Sequence, residues 1–367
     1  MGQNASNNKG KALSRPPDDK TKLQHPPVFV SLGAIEFQEI DYTHKDGIHK
    51  VMGGSGLYAT FGARLFKMGE SSKEVGCLLI TGYDFPRDLE NACTKAYVGY
   101  REENHFQKNY SYNSNRLEPA VEDLDDTVLL SARSFHILGT PAELKTKVEA
   151  ILELRKKYKI EPRPKIIWEP ASIKSLTDDL HSHMAVLPLV DVFSPDHYEC
   201  LFHRDKHAFE RPWIESHARL FTNTGIGPDQ KGAIVVRCGP YGCFWRKSDI
   251  DMGWIVPYWD SRRREVVDQT GAGSAFLGAF MVSYMDENNL KNACVRGSVA
   301  ASFAIEQYGP PKKTNPKDAK KNFYIVAKAK EVWNDDDPEN RYEELLGKHT
   351  NPFQIGFLAR PVRRQSS

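Results

Sequence analysis

The sequence predicts an α/β fold with a mainly parallel sheet, and two observations support this prediction. Short apolar runs that suit buried strands recur at residues 134–138, 165–168, 190–193 and 233–237. Helical patterns alternate with them, as in the charged amphipathic segment 141–158. Strands that alternate with helices are typical of a parallel sheet covered by helices. Such sheets bind ligands at the carboxyl ends of their strands, so we expect the functional residues there.

A second, smaller sheet is predicted beside this core. The segment 34–52 carries alternating apolar and polar residues, and 95–116 mixes aromatic, Asn and acidic residues, so both segments favour strands and loops of a lid. Ordered structure is expected over 27–350 as one domain that contains these two lid segments. Residues 1–26 have no periodic apolar pattern and are predicted to be a disordered leader, and 351–367 a flexible tail.

Composition excludes several classes of protein. The chain has 40% hydrophobic and 27% charged residues and a net charge of +2, so it offers no basic surface for nucleic acid and no segment for stable membrane insertion. Its six cysteines are scattered without a Cys-x-x-Cys pair, which indicates reduced thiols in the cytoplasm. The start, residues 1–6, fits the pattern for myristoylation of Gly2, or matches it by chance in a disordered leader. A single acyl chain would give only weak, reversible membrane association.

The sharpest motif lies in residues 266–280. A β-branched pair leads into the turn Gly271-Ala272-Gly273, and a helix that begins with Ser274 follows. The two glycines allow a tight bend and close approach of a ligand. The helix N-terminus behind them offers free N–H groups and a positive dipole end, which together suit a phosphate group. The alternative is a plain helix start whose small residues permit close packing.

This stretch resembles the C-terminal signature of the PfkB/ribokinase family, Asp-x-x-Gly-Ala-Gly-Asp, with Asp268 as its first residue. Three further segments agree in order with family motifs. They are the double glycine Gly53-Gly54, the residues 194–199 with Asp196 in place of the family's Asn before Glu199, and the strand and turn that carry Arg237, Gly239 and Gly242. The resemblance covers about residues 28–310.

Within the family, the likeness is greatest to a divergent fungal group, the Mak32-like proteins. Three segments carry this likeness: Trp168-Glu169-Pro170, residues 82–86 and residues 301–309. We expect Trp168-Glu169-Pro170 to line the cleft, although the sequence assigns it no chemical role. The aromatic stretch 254–259 is interpreted as edge packing, or alternatively as a surface for base stacking near the adenine side.

The resemblance implies a ribokinase-like three-layer α/β/α domain with a small β-sheet lid. It also implies transfer of a phosphoryl group from ATP, with Mg²⁺ and a possible monovalent cation, to a hydroxyl of a sugar, nucleoside or related alcohol. The lid is the surface through which a homodimer could form. The residues expected on the nucleotide side are Asp196, Glu199 (with an indirect role at Mg²⁺), Arg237, Gly239, Gly242 and Asp268, and those on the substrate side are Gln38, Gly53, Gly54 and Tyr58.

Besides Asp196, the chain departs from the family pattern at three further positions. Ser274 stands where the family has the Asp that accepts the hydroxyl proton, and a serine cannot act as a base near neutral pH without a neighbour to take its proton. Gln38 stands near the family's substrate-binding Asp, and Tyr58 near its Asn. The sequence therefore predicts a kinase-like protein with weak or altered phosphoryl transfer. The alternative is an inactive pseudokinase that serves as a ligand sensor or scaffold.

Overall fold

The computed structural model of the protein describes residues 26–42, 47–80, 94–100, 108–114, 117–171, 180–200, 210–259, 264–315 and 331–350. The predicted leader and tail lie almost wholly outside these ranges, as do residues 82–86 of the family likeness. Within the described ranges, no helix is long and apolar enough to cross a membrane.

An eight-stranded sheet forms the centre of the fold, in the order β12-β11-β10-β9-β8-β7-β1-β4. Its strands are β1 (Phe29–Ser31), β4 (Val75–Cys77), β7 (Ser134–Gly139), β8 (Lys165–Pro170), β9 (Val192–Phe193), β10 (Ala233–Arg237), β11 (Cys243–Arg246) and β12 (Met252–Ile255). The five pairings along the run β4-β1-β7-β8-β9-β10 are all parallel, which confirms the predicted sheet. Strands β10, β11 and β12 pair antiparallel, and the sequence analysis did not identify this edge hairpin.

Helices cover both faces of this sheet. They are α1 (Ser55–Phe66), α2 (Pro141–Lys157), α3 (Leu180–Val186), α4 (His197–Cys200), α5 (Arg211–Thr224), α6 (Ala272–Glu287), α7 (Leu290–Ala304) and α8 (Pro338–Thr350). One buried apolar cluster joins the sheet to α1, α6, α7 and α8, through residues such as Ala63, Phe280 and Val299. A second cluster joins the other face to α2 and α5, through Val148 and Ile214. The result is the predicted three-layer α/β/α arrangement.

A separate four-stranded sheet, which we call the lid sheet, has the order β3-β2-β5-β6. It consists of β2 (Glu36–Tyr42), β3 (Ile48–Gly53), β5 (Thr94–Tyr100) and β6 (Lys108–Tyr112). Burial alternates along β2, and Ile40 and Val98 are fully buried in its small core. This agrees with the predicted small sheet. Two further short strands, β13 (Lys313–Thr314) and β14 (Val332–Trp333), pair with each other.

Close packing of α1 against α6 places the motif-bearing helix within the core. A Cβ atom at Gly278 on α6 would lie 1.8 Å from the carbonyl oxygen of Ala59 on α1. A Cβ atom at Gly62 on α1 would lie 1.9 Å from the carbonyl oxygen of Ala275. Because both obstacles are backbone atoms, a side chain at either glycine would push the helices apart. The small residues after the Gly-Ala-Gly turn thus have a packing role.

We predict that Gly278→Ala destabilises the protein by roughly 1–3 kcal/mol, because its methyl group would meet the backbone of α1. The matched control is Gly347→Ala on α8, where nothing lies within 4 Å of the new Cβ atom. That change should leave stability equal or raise it by about 0.5–1 kcal/mol through helix propensity. Urea unfolding measures both. Equal stabilities of the two variants would show that the α1–α6 contact is not tight.

Candidate active site

The Gly-Ala-Gly turn has the backbone geometry of an anion site. Gly271 has a φ of 79°, in the left-handed region, and α6 begins at the next residue. A Cβ atom at Gly271 would lie 2.1 Å from Cδ2 of Tyr58, so only glycine fits beneath that ring. The first N–H groups of α6 have no partner within the helix and carry the positive end of its dipole.

Asp268 shapes the chain that enters this turn. It is 1% exposed, and its Oδ1 accepts hydrogen bonds from the Thr270 N–H (3.0 Å) and the Thr270 hydroxyl (2.8 Å). Two lid tyrosines join the same network. The Tyr42 hydroxyl donates to Asp268 Oδ1 at 2.8 Å, and the Tyr100 hydroxyl lies 2.8 Å from that of Thr270. The lid sheet is therefore attached to the loop that precedes the anion turn.

A cleft of about 520 Å³ opens from the turn across the carboxyl edge of the main sheet. Residues 271–274 line one part of it, and Tyr241, Pro257, Tyr258 and Trp259 line another. A concave site of this size, with apolar walls and a few polar groups, is typical of small-molecule binding. The aromatic stretch 254–259 therefore does more than pack at an edge, because its last two rings face the cleft.

Arg237, the last residue of β10, lies directly against the anion turn. A Cβ atom at Gly273 would be 2.1 Å from Arg237 Nη1. The guanidinium donates to Glu169 Oε1 at 2.7 Å and to the carbonyl oxygen of Ser194 at 3.0 Å. Its Nε is buried and finds no hydrogen-bond partner in the described part of the chain. A positive charge with a spare donor beside a helix N-terminus suits an anionic ligand.

Glu169, at the carboxyl end of β8, connects this arginine to Ser274. Its Oε2 accepts a hydrogen bond from the Ser274 hydroxyl at 2.9 Å and lies 2.9 Å from Nε2 of His136. Burial would raise the pKa of Glu169, but the charge of Arg237 and the hydrogen bonds from His136 and Ser274 outweigh it and lower the pKa to about 2. Glu169 is therefore ionised and held at both oxygens.

Asp196 and Glu199 cap each other at the start of α4. The Glu199 N–H donates to Asp196 Oδ1, and the Asp196 N–H donates to Glu199 Oε2, both at 2.7 Å. Arg237 Nη2 lies 3.7 Å from Glu199 Oε2. Burial and the charge of Asp196 raise the pKa of Glu199 to about 8, against the opposing charge of Arg237. Glu199 is thus placed behind Arg237 and carries a proton near neutral pH.

The turn from Gly239 to Gly242 forms another part of the cleft wall. Both glycines have positive φ values, 53° and 88°, and both line the cleft. A Cβ atom at Gly242 would lie 1.9 Å from the carbonyl oxygen of Ile255, because β12 passes directly behind this turn. The predicted nucleotide residues Asp196 and Arg237 line the same cleft, whereas Glu199 and Asp268 lie behind its wall.

The predicted substrate-side residues do not line this cleft. Gln38 and Gly53 lie in the lid sheet, Gly54 follows β3, and Tyr58 lies on α1. Gln38 covers Gly53, where a Cβ atom would be 1.9 Å from Gln38 Oε1, and a Cβ atom at Gly54 would be 2.4 Å from the Ala34 carbonyl oxygen. Tyr58 is 1% exposed and packs on Gly271. Among the described residues, neither the Tyr58 hydroxyl nor Gln38 Oε1 has a hydrogen-bond partner.

Comparison with known proteins identifies the family of the chain. Residues 86–318 match the model of the pfkB family carbohydrate kinases. The chain belongs to the PfkB family. Its relatives include an uncharacterized protein of Schizosaccharomyces pombe, 30% identical over 355 residues that cover 88% of this chain and 94% of the relative. Protein MAK32 of Saccharomyces cerevisiae is 25% identical over 301 residues, which cover 73% of this chain and 82% of that protein.

Solved structures of ribokinases have the same fold as this chain. Ribokinase from Giardia lamblia aligns with a TM-score of 0.59 and 15% identity, over 89% of this chain and all of that one. Ribokinase from Thermotoga maritima aligns with a TM-score of 0.52 and 17% identity, over 88% of this chain and all of that one. At these identities the likeness concerns the fold alone. The fold predicted from the sequence, a ribokinase-like domain with a lid sheet, is confirmed.

Sequence reasoning placed Glu169 at the cleft without a chemical role, and it missed His136. Of the expected segment Trp168-Glu169-Pro170, Glu169 lines the cleft and the other two residues do not. Glu169 carried a signal, because it directly follows an apolar strand at the edge where ligands bind. His136 carried none, since a lone histidine inside the strand Ser134–Gly139 reads as a core residue. Its contact with Glu169 depends on the pairing of β7 with β8, which the sequence alone does not display.

A metal ion at this site would need phosphate oxygens of a bound nucleotide among its ligands. Among the described residues, no group of three His, Cys, Asp or Glu side chains is arranged to hold a metal. Mg²⁺ usually binds through one or two carboxylates together with substrate phosphates, and such a site suits this cleft. Oδ1 of Asp268 accepts hydrogen bonds from two hydroxyl groups and one N–H group, so it helps to fix the turn.

We predict that Glu199 makes stability depend on pH. Its pKa is raised on folding, so the stabilising proton is fully bound below about pH 4.5 and is lost as the pH rises through about 8. Between pH 5 and 9 the free energy of unfolding should fall for the wild type relative to Glu199→Gln, by on the order of 3 kcal/mol. Urea unfolding across this range measures the difference.

The control for this prediction is Glu149→Gln on the exposed side of α2, which should follow the wild type at every pH. Because Asp196, Arg237 and Glu169 surround Glu199, the comparison uses the difference between variants and not the absolute curve. Parallel curves for wild type and Glu199→Gln would contradict the placement of a protonated carboxyl group behind Arg237.

Proposed function

We propose that this protein binds ATP with Mg²⁺ in the cleft and transfers the γ-phosphoryl group slowly to a hydroxyl of a sugar, nucleoside or related alcohol. The observation that carries the proposal is the position of Arg237 against Gly273. This position brings the Arg237 guanidinium, whose buried Nε–H has no partner among the described residues, next to the N-terminus of α6. Both groups attract the same anion, and charge stabilisation of this kind is the main protein contribution to phosphoryl transfer.

The far part of the cleft supports a nucleoside. Tyr258 and Trp259 present their rings to it. Arg341 lies behind them, with its guanidinium 5.1 Å from the Tyr258 ring centre and 5.4 Å from that of Trp259. Trp259 is also fixed through its ring N–H, which donates to Glu306 at 2.8 Å. Rings held in this way provide a surface on which an adenine base can stack.

The region under the lid sheet supports a small hydroxylated acceptor. Tyr58 and Gln38 each keep a buried polar atom that is unpaired within the described residues, a costly arrangement that a ligand hydroxyl would relieve. The Tyr58 ring packs against Gly271. An acceptor that contacts the Tyr58 hydroxyl would therefore lie close to the anion turn. The lid sheet must move for such an acceptor to enter, because Tyr58 is 1% and Gln38 3% exposed.

A second candidate function is a pseudokinase that senses nucleotide without turnover. The presence of Ser274 in place of a carboxylate favours it, and so does the complete burial of Tyr58. Both candidates require nucleotide in the cleft. They differ in ADP release, which only the transferase shows when sugars and nucleosides are supplied as acceptors.

The test is calorimetric titration of the full chain with Mg·ATP. The double variant Arg237→Gln/Glu169→Gln removes the guanidinium without leaving Glu169 as an unpaired buried charge. We expect it to bind Mg·ATP about 10- to 100-fold more weakly than the wild type, the loss expected for a charge-assisted contact.

The control is Arg219→Gln, since Arg219 is an exposed arginine on α5 and should leave the affinity unchanged. ADP release is then followed with a panel of sugars and nucleosides as acceptors. Wild-type protein that binds no Mg·ATP would contradict the proposed function. Unchanged affinity in the double variant would remove Arg237 from the phosphate site.

A further inference from the structure

Glu169 occupies the position from which a proton on Ser274 can be taken up. Its Oε2 lies 2.9 Å from the Ser274 hydroxyl, and both residues line the cleft although they are only 5% and 7% exposed. We infer that Glu169 and Ser274 together form the proton acceptor for phosphoryl transfer, in place of the single carboxylate that Ser274 replaces. This inference rests on the proposed function and assigns a role to two residues of the same site.

The proton moves in two linked steps through this pair. The acceptor hydroxyl donates its proton to Ser274 Oγ, while the proton that Ser274 already donates passes to Glu169 Oε2. The acceptor oxygen forms a bond to the γ-phosphorus, and the bond from that phosphorus to the oxygen bridging to the β-phosphate breaks. Its electron pair leaves with ADP, and Glu169 becomes neutral. Ser274 is suited to this role, because a hydroxyl that donates one hydrogen bond can still accept another.

Neighbouring strands hold the Glu169 carboxylate in place. His136 Nδ1 lies 2.9 Å from the Ser31 hydroxyl on β1, and its Nε2 lies 2.9 Å from Glu169 Oε2. Since an ionised carboxylate only accepts, Nε2 carries a proton and donates to Glu169. A row of hydrogen bonds therefore runs from β1 through β7 and β8 to the start of α6. Both His136 and Ser31 are 0% exposed, so the row is rigid and shielded from water.

Phosphate binding would strengthen this base. Without a ligand, the Arg237 guanidinium donates to Glu169 Oε1 at 2.7 Å, which favours the ionised carboxylate and makes it a weak proton acceptor. An anion that draws the guanidinium toward itself reduces this attraction and places negative charge beside Glu169. Both changes favour the protonated carboxyl group. The proton acceptor therefore becomes effective only when nucleotide is bound.

The pair also explains why Asp is unsuitable at position 274 in this chain. A carboxylate there would come to about 3 Å from that of Glu169, and two carboxylates so close compete for one proton. The substitutions Ser274→Asp and Glu169→Gln should therefore compensate each other. The first supplies a direct carboxylate, and the second removes the competing charge and offers an amide donor in its place.

The experiment compares the wild type, Glu169→Gln, Ser274→Asp and the Ser274→Asp/Glu169→Gln double variant as full chains. Mg·ATP is the probe, and the acceptors are the same panel of sugars and nucleosides, with water alone as the blank. Calorimetry reports Mg·ATP affinity, and ADP formation reports transfer. Glu169→Gln should bind Mg·ATP within about threefold of the wild type, because Arg237 remains, and release ADP on the order of 10² to 10⁴ times more slowly. Ser274→Asp should gain no rate, and the double variant should recover at least the wild-type rate.

The possible failures are distinguishable. Wild type that binds no Mg·ATP refutes the proposed function itself. Wild type that binds Mg·ATP without releasing ADP with any of these acceptors overturns the inference and favours the sensor. Glu169→Gln with the wild-type rate, or Ser274→Asp that is fast without the second change, also overturns it. Loss of Mg·ATP binding in Glu169→Gln would give Glu169 a merely structural role.

Discussion

The ion pair between Arg237 and Glu169 organises the site. Both side chains are largely buried, 13% and 7% exposed, and each needs the other since an unpaired charge in this position would be strongly destabilising. The pair spans β10 and β8 and reaches over the intervening β9, where Arg237 also donates to the Ser194 carbonyl oxygen. It thereby fixes a positive charge against the Gly271–Gly273 turn and a negative charge against Ser274. Ser274, His136 and the Ser194 carbonyl oxygen each make a hydrogen bond to one of these two side chains.

The fold could be predicted because its determinants are local. Buried parallel strands appear as short apolar runs, and the amphipathic helix between β7 and β8 shows its period and its Thr140–Glu143 capping box directly in the sequence. The lid sheet was visible through the alternation in β2. The edge hairpin β11–β12 was not, because two strands of four residues each are too short to show a period.

The site could be predicted where a residue acts through its own backbone. Gly271, Gly273, Gly239 and Gly242 lie in turns whose tightness the sequence shows, and the structure brings all four to one cleft. The contacts of residues whose partners lie on other strands could not be predicted from the sequence. Ser274 and Glu169 are separated by 105 positions, as are Ser31 and His136, so their contacts depend on the strand order. The positions of the substrate-side residues Gln38 and Tyr58, buried away from the cleft, likewise depend on how the lid sheet is attached.

Ser274, at the position where the family resemblance implies an aspartate, lies in hydrogen-bond contact with the Glu169 carboxylate. We infer that the two residues together do what a single carboxylate would do there. A crystal structure of the full chain with Mg²⁺ and a non-hydrolysable ATP analogue would test this account most directly. We expect a phosphate oxygen within hydrogen-bond distance of Arg237 and the α6 N-terminus, with the Ser274 hydroxyl still hydrogen-bonded to Glu169. An analogue bound elsewhere, or a Glu169 side chain turned away from Ser274, would contradict it.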